Sequence, residues 1–247
     1  MWRNILTAFR TLTILPLPGK DAPDLSRTLF FFPLVGAFLG FIVLVLAMAA
    51  EWIGFSHPPV LAALSVALIT WITGCLHVDG LGDVADAFGG GKTKERTLEI
   101  LKDPRMGSFG VTAIVLALLI KVGCWQFFLV HAEAQAIVWS LVFARSMQGL
   151  LIAFLPNARA ESIAGAFRVK GLFGKGMVAL SFLATGAVAA YSASFPGAVT
   201  FAFSSLLVSA LFAVYCFRKI GGITGDCLGA ANELVELSVL LTAMMVR

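Results

Sequence analysis

Residues 29–50 read Leu29-Phe-Phe-Phe-Pro33-Leu-Val-Gly36-Ala-Phe-Leu-Gly40-Phe-Ile-Val-Leu-Val-Leu-Ala-Met-Ala-Ala50. No residue in this stretch is charged, and it is long enough to cross a bilayer as a helix, which takes about 20 apolar residues. Similar runs recur at about 60–76, 110–130, 135–155, 177–195, 198–217 and 228–246. The last is the weakest, because Glu233 and Glu236 stand in its first half. It reads as a full span, a half-span or a helix that enters late. Across all 247 residues, 59% are apolar and 13% charged, and mean hydropathy is +0.93. Soluble domains are about 45–50% apolar and about 25% charged, so a water-soluble globule and a disordered chain are both excluded. Cys75, Cys124, Cys216 and Cys227 are too sparse for a disulfide scaffold. The expected fold is all-α: one integral membrane helical bundle of about six or seven spans, occupying residues 1–247 as a single domain.

Lys and Arg alternate between the spans. Four precede the first, five lie in 77–109, four in 156–176 and two in 218–227, while the turns at 51–59, 131–134 and 196–197 have none. The positive-inside rule then places the N-terminus and every long polar loop in the cytoplasm. The net charge of +4 reports those loops and not nucleic-acid binding. The first 28 residues lack a cleavable signal pattern: the apolar run 11–17 is short and broken by Pro16 and Pro18. They read as an interfacial, amphipathic lead-in.

Nine of the fourteen acids fall in two short stretches, 79–103 and 226–236. In the first, Asp79, Asp83 and Asp86 are spaced i, i+4, i+7 and share one face of a helix. Like charges so spaced repel, and hard divalent cations such as Mg²⁺ compensate them, with substrate phosphates completing the shell. The bland alternative is a solvated helix end, which the small and apolar residues between the acids fit poorly. His77 with Cys75 is too small a set for zinc, and His77 reads as a hydrogen-bonded or substrate-facing group. Lys102, Asp103 and Arg105 stand beside Pro104, Gly107 and Gly110; they suit either a phosphate or a local ion pair. Gly91-Lys92-Thr93 is not a P-loop, since the glycine required five residues before Gly91 is Asp86.

The second stretch, Gly221-Gly222-Ile-Thr224-Gly225-Asp226, leads into a helix carrying Asn232, Glu233 and Glu236. Thr224 or Asp226 suits an N-cap, and the helix start suits an anion. Carboxylates entering a span are costly and mark function by default. Lys121 and Arg145 lie mid-span, either neutralising a buried acid or snorkelling to the interface. Carboxylates, cations and glycine turns gathered at one membrane face indicate phosphoryl chemistry.

The pattern His77-x-Asp79-Gly-Leu-x-Asp83-x-x-Asp86, then Leu98-Glu-Ile-Leu-Lys102-Asp103-x-Arg105-x-Gly107-x-x-Gly110, resembles the cobalamin synthases, the adenosylcobinamide-GDP ribazoletransferases. Gly221-Gly-x-Thr224-Gly225-Asp226-x-x-Gly229-Ala-x-x-Glu233-x-x-Glu236 resembles that family's second signature. Phe9-Arg10-x-Leu-Thr13-x-Leu-Pro16-x-Pro18 and Phe32-Pro33-x-x-Gly36 fit its start. Ala87 stands where the family usually has glycine, a departure that leaves the acids in place. The resemblance implies a bacterial inner-membrane enzyme that needs Mg²⁺ and acts from the cytoplasmic face. It joins adenosylcobinamide-GDP to α-ribazole or its 5′-phosphate, releasing GMP. It implies metal held by Asp79, Asp83 and Asp86, and substrate or phosphate held by His77, Lys102, Arg105, Gly107, Thr224 and Asn232. Asp103, Asp226, Glu233 or Glu236 would complete the metal shell or take the proton. The partners implied are these two small molecules and membrane lipid, with homo-oligomerisation open. The rival readings are a CDP-alcohol phosphotransferase, whose Ala-Arg and second acidic half are missing here, and a secondary transporter, whose repeats are missing.

Overall fold

The computed structural model describes residues 1–159, 163–192 and 195–246. Residues 160–162 of the 156–176 loop and residues 193–194 of the 177–195 segment therefore lie outside the described residues. Eleven helices are described: α1 (Trp2–Leu12), α2 (Phe32–Trp52), α3 (Pro58–Ile72), α4 (Leu76–Gly90), α5 (Lys94–Ile100), α6 (Ser108–Val130), α7 (Gln135–Phe154), α8 (Ile163–Ala166), α9 (Gly171–Ser192), α10 (Phe195–Ile220) and α11 (Gly225–Met245). Six of them are long and apolar enough to cross a membrane: α2 with the 3-10 turn before it, α6, α7, α9, α10 and α11. The protein is thus a multi-pass, all-helical membrane protein. The weakly apolar last segment is a complete helix of 21 residues.

The 60–76 segment differs from the expectation. Its helix stops at Ile72, Gly74 and Cys75 take left-handed backbone (φ +60° and +59°), and α4 departs at 87° to α3. The chain turns there because Gly74 tolerates positive φ at no steric cost and the residues beyond Leu76 carry three aspartates. Alone, α4 is too short and too acidic to span; it lies against α11 and α6.

Helix ends follow local chemistry. Pro33 and Pro58 sit in the first turns of α2 and α3, where a missing N–H costs nothing. Thr93 caps α5 by accepting from the Arg96 N–H, and Thr224 caps α11 by accepting from the Cys227 N–H. As expected for the lead-in, α1 is amphipathic: Leu6, Ala8 and Leu12 are buried, while Arg3 and Arg10 reach Asp21 and Gly19.

The central helix is α7, packed by α2, α11, α9 and α10. Apolar side chains give helices little reason to associate in lipid, so close approach of small residues matters more. A Cβ on Gly36 of α2 would stand 2.5 Å from the Leu141 carbonyl oxygen of α7. A Cβ on Gly80 of α4 would stand 2.7 Å from the Asp226 carbonyl oxygen. Gly123 of α6 has nothing within 4 Å. Gly36→Ala is therefore expected to cost about 1–3 kcal/mol through overpacking, and Gly123→Ala to be neutral or mildly stabilising. Thermal unfolding of both variants in detergent checks the contrast.

Candidate active site

The 87° turn carries the first acidic stretch onto the start of α11. The crossing is glycine on glycine: a Cβ on Gly229 would meet the Leu76 carbonyl at 3.0 Å and the Gly80 Cα at 3.3 Å. Beside it opens a cavity of about 370 Å³, lined by His77 and Asp79 of α4, Asp226 of α11, Gln148 of α7, and Phe32 and Phe167, among others. Asp226 and His77, far apart in the chain, thus share one cavity.

Asp79, Asp83, Asp86 and Asp226 form one acidic field. Burial, then the charges of Asp79, Asp226 and Asp86, push the Asp83 carboxyl up to about 6. Asp86 is engaged differently from its neighbours. Its two oxygens accept from the Gly107 N–H at 2.6 Å and the Gly110 N–H at 2.9 Å. It thereby satisfies the open N–H groups at the start of α6 and pins the 102–107 loop to the acidic face. Among the described residues no three His, Cys, Asp or Glu side chains converge to enclose a metal by themselves. The donors are nevertheless all carboxylate oxygens, crowded and uncompensated, which fits a hard divalent cation bound by one or two carboxylates plus substrate oxygens.

The phosphate candidates divide. Arg105 is forked onto Asp103, Nε to Oδ1 at 2.9 Å and Nη2 to Oδ2 at 2.7 Å. The local ion pair is thus formed, and these bonds hold the exposed Asp103 carboxyl down at about 2. Lys102 is exposed on the same loop. Thr224 is occupied as the cap of α11, and its hydroxyl also donates to Asp226 Oδ2 at 3.2 Å. None of Lys102, Asp103, Arg105, Glu233 or Glu236 lines the cavity.

Glu233 and Glu236 lie deeper, in an ion cluster. Lys121 Nζ of α6 reaches Glu233 at 2.6 Å and Glu236 at 2.7 Å, and Arg145 of α7 donates to Glu236. Asn232 Nδ2 donates to Glu236 at 2.9 Å. Lys121, Arg145, Glu233 and Glu236 are 4%, 1%, 2% and 1% exposed. Lys121 and Arg145 therefore neutralise buried acids and do not snorkel. The cluster carries two charges of each sign.

Two groups escaped the sequence reading as site residues. Gln148 lines the cavity; its signal is a polar side chain three residues after Arg145 in an apolar span. Arg159 follows α7, its Nη2 donating to the Leu98 carbonyl at 2.7 Å while its buried Nε has no partner, and its charge reaches Asp226. Backbone bonds hold this loop to the second glycine stretch: Ala158 N–H donates to Ile223 O and Ile223 N–H to Pro156 O, both at 2.9 Å.

The family model described as cobalamin-5-phosphate synthase matches residues 4–244. The chain belongs to that family. Among similar curated proteins are the adenosylcobinamide-GDP ribazoletransferases of Chlorobium chlorochromatii, 36% identical over 99% of this chain and 97% of the relative, and of Prosthecochloris aestuarii, 38% identical over 99% and 98%. That of Chlorobaculum parvum is 40% identical over 99% and 96%. No solved structure matches the chain.

Two outcomes follow from the charges. Lys121→Met is expected to cost roughly 3–5 kcal/mol by stranding buried carboxylates. Lys121→Met with Glu233→Gln is expected to cost less than the sum of the singles; denaturation in detergent measures both. For Asp83, a folded-state pKa of about 6 against an unfolded 3.8 means that the cost of burying this charge among its acidic neighbours is absent below about pH 3, grows between pH 3.8 and about 6, and is complete above that. In metal-free buffer Asp83→Asn should therefore gain on the order of 1 kcal/mol at pH 8, after discounting for solvent screening, and nothing at about pH 3. Thermal midpoints across pH read this out.

Proposed function

We propose that the chain is an adenosylcobinamide-GDP ribazoletransferase. It completes the nucleotide loop of adenosylcobalamin by joining adenosylcobinamide-GDP to α-ribazole or its 5′-phosphate. The observation that carries this reading is the small cavity where Asp79 and Asp226 meet, with the charge of Asp83 coupled to both, in a chain whose relatives bear that enzyme's name. The basic loops support an orientation in which this face meets the cytoplasm of a bacterial inner membrane.

In the reaction a ribose hydroxyl oxygen bonds to the cobinamide-bearing phosphorus. The bond from that phosphorus to the bridging oxygen breaks, and the bridging oxygen departs with the electron pair as part of GMP. Asp79 and Asp83 would hold magnesium. The ion, when bound, offsets charge on the diphosphate and the leaving group. Asp86 positions this face through the 102–107 loop. Of the four acids that the sequence offers as base, only Asp226 lines the cavity. Glu233 and Glu236 are already paired with Lys121 and Arg145, and Asp103 is a weak base held by Arg105. Asp226 is therefore assigned the hydroxyl proton. Arg159, with its unpartnered Nε, and the exposed Lys102 of the pinned loop are assigned to the non-bridging phosphate oxygens, Arg105 being taken up by Asp103.

Purified protein in detergent, given adenosylcobinamide-GDP, α-ribazole and Mg²⁺, is expected to release GMP and form cobalamin, and EDTA is expected to stop it. Asp83→Ala should lower the rate by roughly 10²-fold or more, the scale of losing a preorganised electrostatic group. Absence of GMP release from folded wild-type protein would overturn the reading; a transporter has no activity to show without a membrane barrier.

A further inference from the structure

The cavity lining is of two kinds. Asp79, exposed, and Asp226, half-buried, make its acidic part. Phe32 and Phe167 meet edge to face, ring centroids 6.1 Å apart, and with Leu12 and Ile152 make its apolar part. Two polar atoms within the lining have no partner: Nε2 of His77, 2% exposed, and Oε1 of Gln148, 4% exposed. Gln148 Nε2 donates to the Leu228 carbonyl at 3.3 Å, which fixes the amide and leaves Oε1 as an open acceptor. Buried polar atoms are rarely left unpaired, so the pair marks a place where a ligand supplies the hydrogen bonds.

We propose that this cavity seats the attacking nucleoside alone. Its fused aromatic base lies against Phe32, Phe167, Leu12 and Ile152, and its ribose hydroxyls bond to His77 Nε2 and Gln148 Oε1. The attacking oxygen then stands beside Asp79 and Asp226. Volume decides between the two substrates. About 370 Å³ is near the lower end for small-molecule pockets; it takes a nucleoside and excludes a corrin macrocycle bearing a nucleotide. The larger substrate stays outside, with only its diphosphate reaching the carboxylates. Selection of the base therefore belongs to the Phe32–Phe167 wall. This inference rests on the functional reading above.

Separate KM values for the two substrates test it. Ile152→Phe narrows the apolar part and is expected to raise the KM for α-ribazole about tenfold or more, the scale of a steric mismatch in an apolar pocket, leaving that for adenosylcobinamide-GDP essentially unchanged. The riboside of unsubstituted benzimidazole, which lacks the ring methyl groups, should recover most of the loss. Gln148→Leu should weaken the nucleoside with the same selectivity. As a probe that leaves the wall intact, the Thr11→Cys variant in a Cys75→Ser background is labelled with maleimide; α-ribazole alone should slow labelling, and adenosylcobinamide-GDP alone should not. If wild-type protein forms cobalamin but the variants shift only the cobinamide KM, or neither KM, the nucleoside seat is wrong and the function stands. Protection of the introduced thiol by adenosylcobinamide-GDP alone overturns the seat in the same way. If wild-type protein forms no cobalamin, the functional reading falls and takes the seat with it.

Discussion

Two positive and two negative charges, nearly sealed from solvent, tie three membrane helices together. Lys121 of α6 and Arg145 of α7 converge on Glu233 and Glu236 of α11. A lone charge is expensive in the hydrocarbon core, so neither the rotation nor the depth of α11 can change without stranding one. The cluster is a constraint before it is a source of stability, since replacing a buried ion pair with apolar groups is often neutral. What it fixes is the height of the N-terminal turn of α11. Gly229 then falls against Gly80, and Asp226 falls beside the carboxylates of α4.

The acids of the two stretches consequently divide their work. Glu233 and Glu236 hold the helix, and Asp86 holds the loop that starts α6. Asp103 holds Arg105. Asp79, Asp83 and Asp226 have no ion pair among the described residues, and burial together with the charges of its acidic neighbours raises the Asp83 carboxyl. A protein that leaves such repulsion uncompensated gives up stability in the free state. In the proposed reaction a bound cation would relieve the same repulsion, which would make the strain and the binding capacity one feature.

Much of this was legible in the chain. Composition gives the membrane class. The i, i+4, i+7 spacing puts three aspartates on one helical face, and the residues of α4 do form that helix. The partners of Lys121 and Arg145 were not legible, because 112 and 91 residues separate them from the glutamates they meet. Nothing local encodes which helix lies alongside. The break after Ile72 was missed because hydropathy runs on smoothly through Gly74 and Cys75, while positive φ at both turns the chain. The cavity was hidden for a related reason: its walls come from α1, α2, α4, α7 and α11, and Gln148 becomes a site residue only where those helices meet.

Whether the two acidic stretches, far apart in sequence, act as one site is read from a double-mutant cycle in kcat/KM between Asp79→Asn and Asp226→Asn. Groups that act as a unit are strongly non-additive. The double variant should be little worse than the poorer single variant, a coupling of more than about 1 kcal/mol. Losses that multiply, with coupling within about 0.5 kcal/mol, would show that α4 and α11 work independently and would contradict the account.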